Sequence, residues 1–208
     1  ITHDFRSPLS IILNNSDLSL KYDDKSNYEV IQKRLQNINS SSIKLKKSVD
    51  RLLELAKMDT EGVKLRIQRV KPKKLIKQLI EFYRSALLTL KITIVSNLPM
   101  YDIYNFFTDV DKFEEILSNI ISNSIKYVDP NNGEIVVSLI DQKRSILIKI
   151  MDNGIGIDSK YLDSIFNRFE QLDSGRNEIN KGTGLGLSFS KQLTGYLNGN
   201  LRAESDGL

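Results

Sequence analysis

Between Tyr28 and Ala56, nine residues fall at alternating intervals of three and four: Tyr28, Ile31, Leu35, Ile38, Ser42, Leu45, Val49, Leu52 and Ala56. A sustained 3.5-residue repeat predicts a helix packed in a coiled-coil-like bundle. Ahead of it, Phe5, Leu9, Ile12, Leu13, Ser16 and Leu20 mark a similar face, and KYDDKSN (21–27) reads as the turn of a helical hairpin. Two helices cannot enclose two such stripes. A second copy of the hairpin is the simplest partner, so residues 1–60 are expected to form a homodimeric four-helix bundle.

The periodicity changes near MDTEG (58–62), which marks the expected domain boundary, with residues 61–208 forming the second domain. KLRIQRV (64–70) alternates like a strand, Pro72 opens a helix to about residue 90, and KITIVSN (91–97) is a strand. Asp111, with Glu114 three residues on, gives an N-cap signal for a helix to about Tyr127. EIVVSLI (134–140) and SILIKIM (145–151) alternate and are joined by DQKR as a hairpin. Residues 152–183 are rich in Gly, Asn and Asp with little periodicity, as functional loops are. A last helix is expected at about 184–197, and LRAES (201–205) as one more strand.

Three stretches carry candidate chemistry. On the helix DKFEEILSNIISNSIKY, Phe113, Ile116, Leu117, Ile120 and Ser124 form the expected core face. Asn119, Asn123, Lys126 and Tyr127 form a separate polar stripe. Amide oxygens suit Mg²⁺, and Lys and Tyr reach phosphate oxygens, although a solvated helix face looks the same. In DNGIGI, Gly154 and Gly156 allow close backbone approach, and Asp152 at a strand end can accept from an exocyclic amine. In KGTGLGLS, Gly182, Gly184 and Gly186 stand at the entrance to a helix, whose free N–H groups favour phosphate. Between the last two, Phe166 and Phe169 suggest a short turn that anchors part of the loop, or plain core.

Composition removes other chemistries. No Cys and a single His (His3) make disulfides, thiolate catalysis and a zinc site improbable. The net charge of +4 is evenly spread: residues 1–60 carry 10 Lys/Arg against 8 Asp/Glu, and 61–208 carry 20 against 18, or +2 each. No basic face marks a nucleic-acid partner. No apolar run approaches the ~18 residues of a membrane span, and no signal-peptide-like leader is seen.

In their order, these motifs resemble those of sensor histidine kinases. NIISNSIKY is similar to the family's N box, DNGIGI to its G1 box, FNRF to its F box, GTGLGLS to its G2 box and HDFRSPL to its H box. The resemblance implies a dimerisation and phosphotransfer hairpin followed by an α/β sandwich of the Bergerat (GHKL) ATPase type, with the last strands lying beyond residue 208. It implies that His3 is the phosphoacceptor and Asp4 its acid/base partner, and that Asn123 holds Mg²⁺. Asn119, Lys126 and Tyr127 would then approach the nucleotide, and Asp152 the adenine amine, in a pocket shaped by Gly154 and Gly156. Phe169, Lys181, Gly182, Thr183, Gly184, Leu185 and Gly186 would belong to the segment that closes over the ATP phosphates. Ser7, one turn after His3, matches a position linked to receiver dephosphorylation. Lys181 departs from the pattern, standing where many relatives have a glycine.

The implied partners are ATP, Mg²⁺, a second copy of the chain and a response-regulator receiver, with no nucleic acid and with membrane contact only through segments outside this chain. The implied location is the cytoplasmic portion of a membrane-anchored sensor kinase. Two other readings share the nucleotide pocket. One is a different GHKL ATPase, which has no need of a histidine-headed hairpin. The other is a degenerate kinase acting as a dimeric scaffold or receiver phosphatase.

Overall fold

The computed structural model describes residues 2–21, 28–103, 106–129, 131–172 and 183–207, the side chains of residues 2–4, 21, 85 and 86 excepted. The chain divides into two compact units: Ile1–Val63 with Asn167–Phe189, and Lys64–Phe166 with Ser190–Leu208.

The first unit is built on α1 (Thr2–Lys21) and α2 (Tyr28–Glu61). The helices are antiparallel, with Arg34 Nη1 donating to the Leu18 carbonyl at 3.2 Å and Asn37 Nδ2 to Asn15 Oδ1 at 3.4 Å. α1 runs on through Pro8. The repeat of α2 resolves into three seams of different burial. Ser41, Ser48 and Leu55, one heptad apart, are buried. Ile31, Ile38, Leu45 and Leu52 are half-buried, while Tyr28, Leu35, Ser42, Val49 and Ala56 stay exposed. The seam buried within the chain is thus offset by one position from part of the expected stripe. The outer seam, with Leu35 at 57% and Val49 at 40% exposure, and Leu9 and Leu13 of α1 at 46% and 53%, keep apolar surface in water.

In the second unit, α3 (Pro72–Thr89) and α4 (Val110–Tyr127) accompany a three-stranded sheet, β2 (Ile92–Asn97), β4 (Gly133–Asp141) and β5 (Ile146–Asp152). Its order is β2-β4-β5. β2 runs parallel to β4 with Ile92 opposite Gly133, and β4 antiparallel to β5 with Ile135 opposite Asp152. Alternation in β4 buries Ile135, Val137 and Leu139. These join Leu75, Ile76, Ile80 and Leu87 of α3 and Phe113 and Leu117 of α4 in one core. Helices over one sheet face give the two-layer α/β architecture expected from the motifs. β1 (Gln68–Val70) and β3 (Phe106–Thr108) form a separate antiparallel pair. α5 (Gly186–Tyr196) completes the element order.

Four local expectations need correction. The alternating stretch at 64–70 is a strand only over Gln68–Val70. Asp109, rather than Asp111, caps α4: its side chain accepts from Lys112 N–H at 3.1 Å and also from Arg66 N–H at 2.8 Å. Asp109 wins because it satisfies donors of two segments at once. Ile121, at 1% exposure, takes the deep core position of α4, with Ile120 half-buried. LRAES is not a strand; residues 201–207 are irregular, and Ser205 Oγ accepts from Ile157 N–H at 2.9 Å. Among the described residues, no helix is long and apolar enough to cross a membrane.

Candidate functional site

The second unit gathers the α4 stripe and the turn after β5. Gly154 sits directly against the end of α4: a Cβ there would fall 2.5 Å from the Tyr127 carbonyl oxygen and 2.6 Å from Asp152 Oδ1. That clearance excludes any side chain unless the backbone moves. Ile155 N–H donates to the Tyr127 carbonyl at 3.2 Å, so an otherwise orphaned C-terminal acceptor of α4 holds the turn. Asp152 Oδ1 accepts from Gly154 N–H at 3.1 Å, an Asx turn that fixes its own carboxylate. Gly156 has φ +72°, the left-handed region that favours glycine.

Along the stripe, the residues differ. Asn119 is buried, and its Nδ2 donates to Ser190 Oγ of α5 at 2.9 Å, with Ser190 fully buried. Its face is therefore interior, so the polar stripe is not a uniformly solvated helix face. Asn123, one turn on, is half-buried. Lys126 Nζ donates to Tyr127 Oη at 2.9 Å and lies 4.6 Å from that ring's centroid. The structure thus brings Lys126, Tyr127, Asp152 and Gly154 together at one end of α4.

The first unit holds the glycine turn that opens α5. Phe169 N–H donates to the Gly184 carbonyl at 2.9 Å, joining the two ends of the intervening segment. Phe169 is left-handed at φ 68° and Gly184 at φ 63°. A Cβ on Gly184 would fall 2.6 Å from the Phe169 carbonyl carbon, so glycine is required there twice over. Leu185 N–H donates to Thr183 Oγ1 at 3.4 Å, and Leu185 is buried. Lys181 and Gly182 lie outside the described residues. His3 and Asp4 lie in the first turn of α1, with side chains outside the description, and Ser7 is half-buried one turn further on.

Sequence reasoning missed several positioning groups. Asn153 ties the turn to β4: its Oδ1 accepts from Glu134 N–H at 2.8 Å and its Nδ2 donates to the Asn132 carbonyl at 2.7 Å. Ser190 and the Tyr127 carbonyl act equally without a motif. Only their place in the fold reveals them.

Comparison with known proteins follows the same division. Residues 1–61 match the His Kinase A (phospho-acceptor) domain, and residues 108–207 the histidine kinase-, DNA gyrase B- and HSP90-like ATPase family. The sensor histidine kinase TmoS of Ectopseudomonas mendocina is 31% identical over 93% of this chain, which spans 20% of TmoS. The chain thus covers about a fifth of that relative's length. In structure it is similar to the histidine kinase AdeS of Acinetobacter baumannii, at TM-score 0.75 and 20% identity, over 99% of this chain and 92% of AdeS. It is also similar to the histidine kinase ThkA in complex with the response regulator protein TrrA, at TM-score 0.74 and 19% identity, over 98% of this chain and 57% of the other. A phospho-acceptor match on the helical hairpin and an ATPase match on the α/β unit, in one chain, place this protein in the histidine kinase family.

Proposed function

We propose that this chain transfers the γ-phosphoryl group of ATP to an imidazole nitrogen of His3, then to an aspartate of a response-regulator receiver. The observation that carries the reading is the junction at the end of α4. Tyr127's carbonyl holds the Asp152–Gly156 turn beside Lys126 and Tyr127, in a chain whose first 61 residues match a phospho-acceptor. Asp152, oriented by its Asx turn, offers its other oxygen to the adenine amine, and Gly154 and Gly156 keep the pocket wall free of side chains. Lys126 and Tyr127 approach the phosphates, Asn119 fixes α4 against α5, and Phe169, Lys181, Gly182, Thr183, Gly184, Leu185 and Gly186 serve the phosphates. N–H groups at the start of α5 favour the anionic end of the nucleotide.

The donors present fit Mg²⁺. Among the described residues no group of three His, Cys, Asp or Glu forms a dedicated cage. A half-buried amide such as Asn123 suits a hard cation that takes its other ligands from phosphates and water. When bound, Mg²⁺ offsets charge on the phosphates. Asp4 takes the His3 proton so that a neutral nitrogen faces the donor. Ser7 orients water when the phosphorylated receiver is hydrolysed.

Residues 1–60 serve as the dimerisation and phosphotransfer domain and 61–208 as the ATP-binding domain. The exposed α2 seam supports pairing with a second hairpin. A receiver partner is supported by the likeness to ThkA, which was solved with a response regulator. The cytoplasmic side of a membrane-anchored sensor is the setting that suits these partners. Incubation with γ-labelled ATP and Mg²⁺ tests the reading: acid-labile, alkali-stable label is expected in the wild type and absent in His3→Gln. Nucleotide binding with no label in the wild type would instead favour the scaffold or receiver-phosphatase reading.

A further inference from the structure

The balanced charge of residues 61–208 hides an asymmetry. Between Lys64 and Lys77 the chain carries seven bases, and from 62 to 80 it carries no acid. Taking those seven from the 20 bases of residues 61–208 leaves 13 against 18 acids, so a +7 stretch is set against a −5 remainder.

The fold gathers that stretch on one surface of the α/β unit. Arg69 of β1 stands directly opposite Phe107 of β3, and both are exposed. Ile67 and Lys71, two positions to either side of Arg69, are exposed as well. α3 follows at once and presents Lys74 and Lys77, one turn apart, to solvent. The loop after β2 is tied to the same place. Lys73 Nζ donates to the Met100 carbonyl at 2.9 Å, and Lys71 Nζ meets Asp102 Oδ2 at 3.3 Å. Asp102 is an acid within this surface, offset by Lys71, and Glu81, the next acid along α3, pairs with Arg84. Beside Asp102, Tyr101 is exposed and Met100 is 99% exposed.

Two features of this surface cost free energy in water. The first turn of α3 has no acid and no side-chain cap, while Lys71, Lys73 and Lys74 crowd the positive end of its dipole. Ile67, Met100, Tyr101 and Phe107 also keep apolar side chains in solvent. An anionic partner relieves the first cost and an apolar one the second. A bilayer of anionic lipid offers both, with headgroup phosphates for the bases and the acyl boundary just below for side chains that project singly. An acidic protein face would need a pocket shaped for each projection; a fluid bilayer needs none. The opposite charge of the remainder turns this face toward the lipid. We propose that the β1–α3 surface docks on anionic membranes, its bases at the headgroups and Met100, Tyr101 and Phe107 in the interface. This contact is additional to any made through segments outside the chain, and it does not depend on the kinase chemistry.

The test is flotation of the full chain with vesicles of phosphatidylcholine alone or mixed with an equal part of phosphatidylglycerol. Binding is expected to the mixed vesicles only, and to weaken as salt rises. Each base at an anionic surface contributes about fivefold, so Arg69→Gln with Lys74→Gln should lower the partition coefficient roughly 25-fold. Lys149→Gln, which removes an exposed base of β5, should leave it unchanged. Met100→Ser should lower it about tenfold without altering the salt dependence. Equal binding to both vesicle types overturns the proposal, as does a Lys149→Gln loss equal to that of Lys74→Gln. Undiminished binding by Met100→Ser, or full competition by soluble polyglutamate, would make an acidic polypeptide the occupant and overturn the membrane assignment.

Discussion

A buried carboxylate is held ionised at the start of α4. Burial alone would raise the pKa of Asp109, but the backbone N–H groups of Arg66, Lys112 and Asp111 outweigh it and hold the carboxyl below its ordinary value. A depressed folded-state pKa gives stability that is present above the unfolded value and is lost as pH falls through the folded one. Acid unfolding of the α/β unit should therefore steepen below about pH 4, and Asp109→Asn should flatten that limb in melts recorded from pH 6 to 2. Asp109→Ala should destabilise by about 1–2 kcal/mol, because it strips the helix cap and leaves Arg66 N–H unpaired. Gly154 is the functional counterpart. Its added Cβ would meet the Tyr127 carbonyl, so Gly154→Ala should weaken binding of a fluorescent ATP analogue by about tenfold or more, with the circular dichroism spectrum unchanged. These two residues were not equally legible. Glycine spacing in DNGIGI exposed Gly154, whereas the choice of Asp109 over Asp111 depended on Arg66, 43 residues away, which no local pattern reveals.

Among the elements, α2 shows what a heptad does and does not determine. Its period was readable from Tyr28 to Ala56, and the helix spans that range. Which of three seams faces α1 depends on the rotation of the helix about its axis, and the buried and the exposed seam differ by one residue. Ser41 and Ser48 turned inward because small side chains allow close helix approach, leaving Leu35 and Val49 outside. If that outer seam joins two hairpins, Leu35→Asp with Val49→Asp should convert a dimer into a monomer in light scattering, with helix content largely kept. An unchanged mass would remove this face from the interface. The hairpin strands β4 and β5 were legible because alternation and the DQKR turn agree. β3, three residues long, has no pattern to read.

At the scale of the whole molecule, the expected boundary near residue 60 follows the change in periodicity, and the compact units add something linear reading lacks. Residues 167–189 cluster with the hairpin, more than a hundred residues after it. Leu55 and Met58, near the end of α2, are buried, at 1% and 3% exposure. Leu55→Ala should therefore cost about 2–5 kcal/mol in the unit containing α2, seen as an earlier thermal transition. The proposed nucleotide site divided the same way. Motif order exposed the polar stripe and both glycine turns, while the groups that hold them, Asn153, Ser190 and the Tyr127 carbonyl, are visible only once the chain is folded.

The junction of Phe169 with Gly184 is made by main-chain atoms alone. Such a join is indifferent to what is inserted between its ends, since lengthening a connecting loop costs only about 0.6 kcal/mol per doubling. Natural variation can therefore rewrite residues 173–180 in length and composition while two positions keep the ends together. That separation makes the segment a place where related chains can diverge in tempo and specificity without renegotiating the fold, and where an engineer can graft a sequence with least risk.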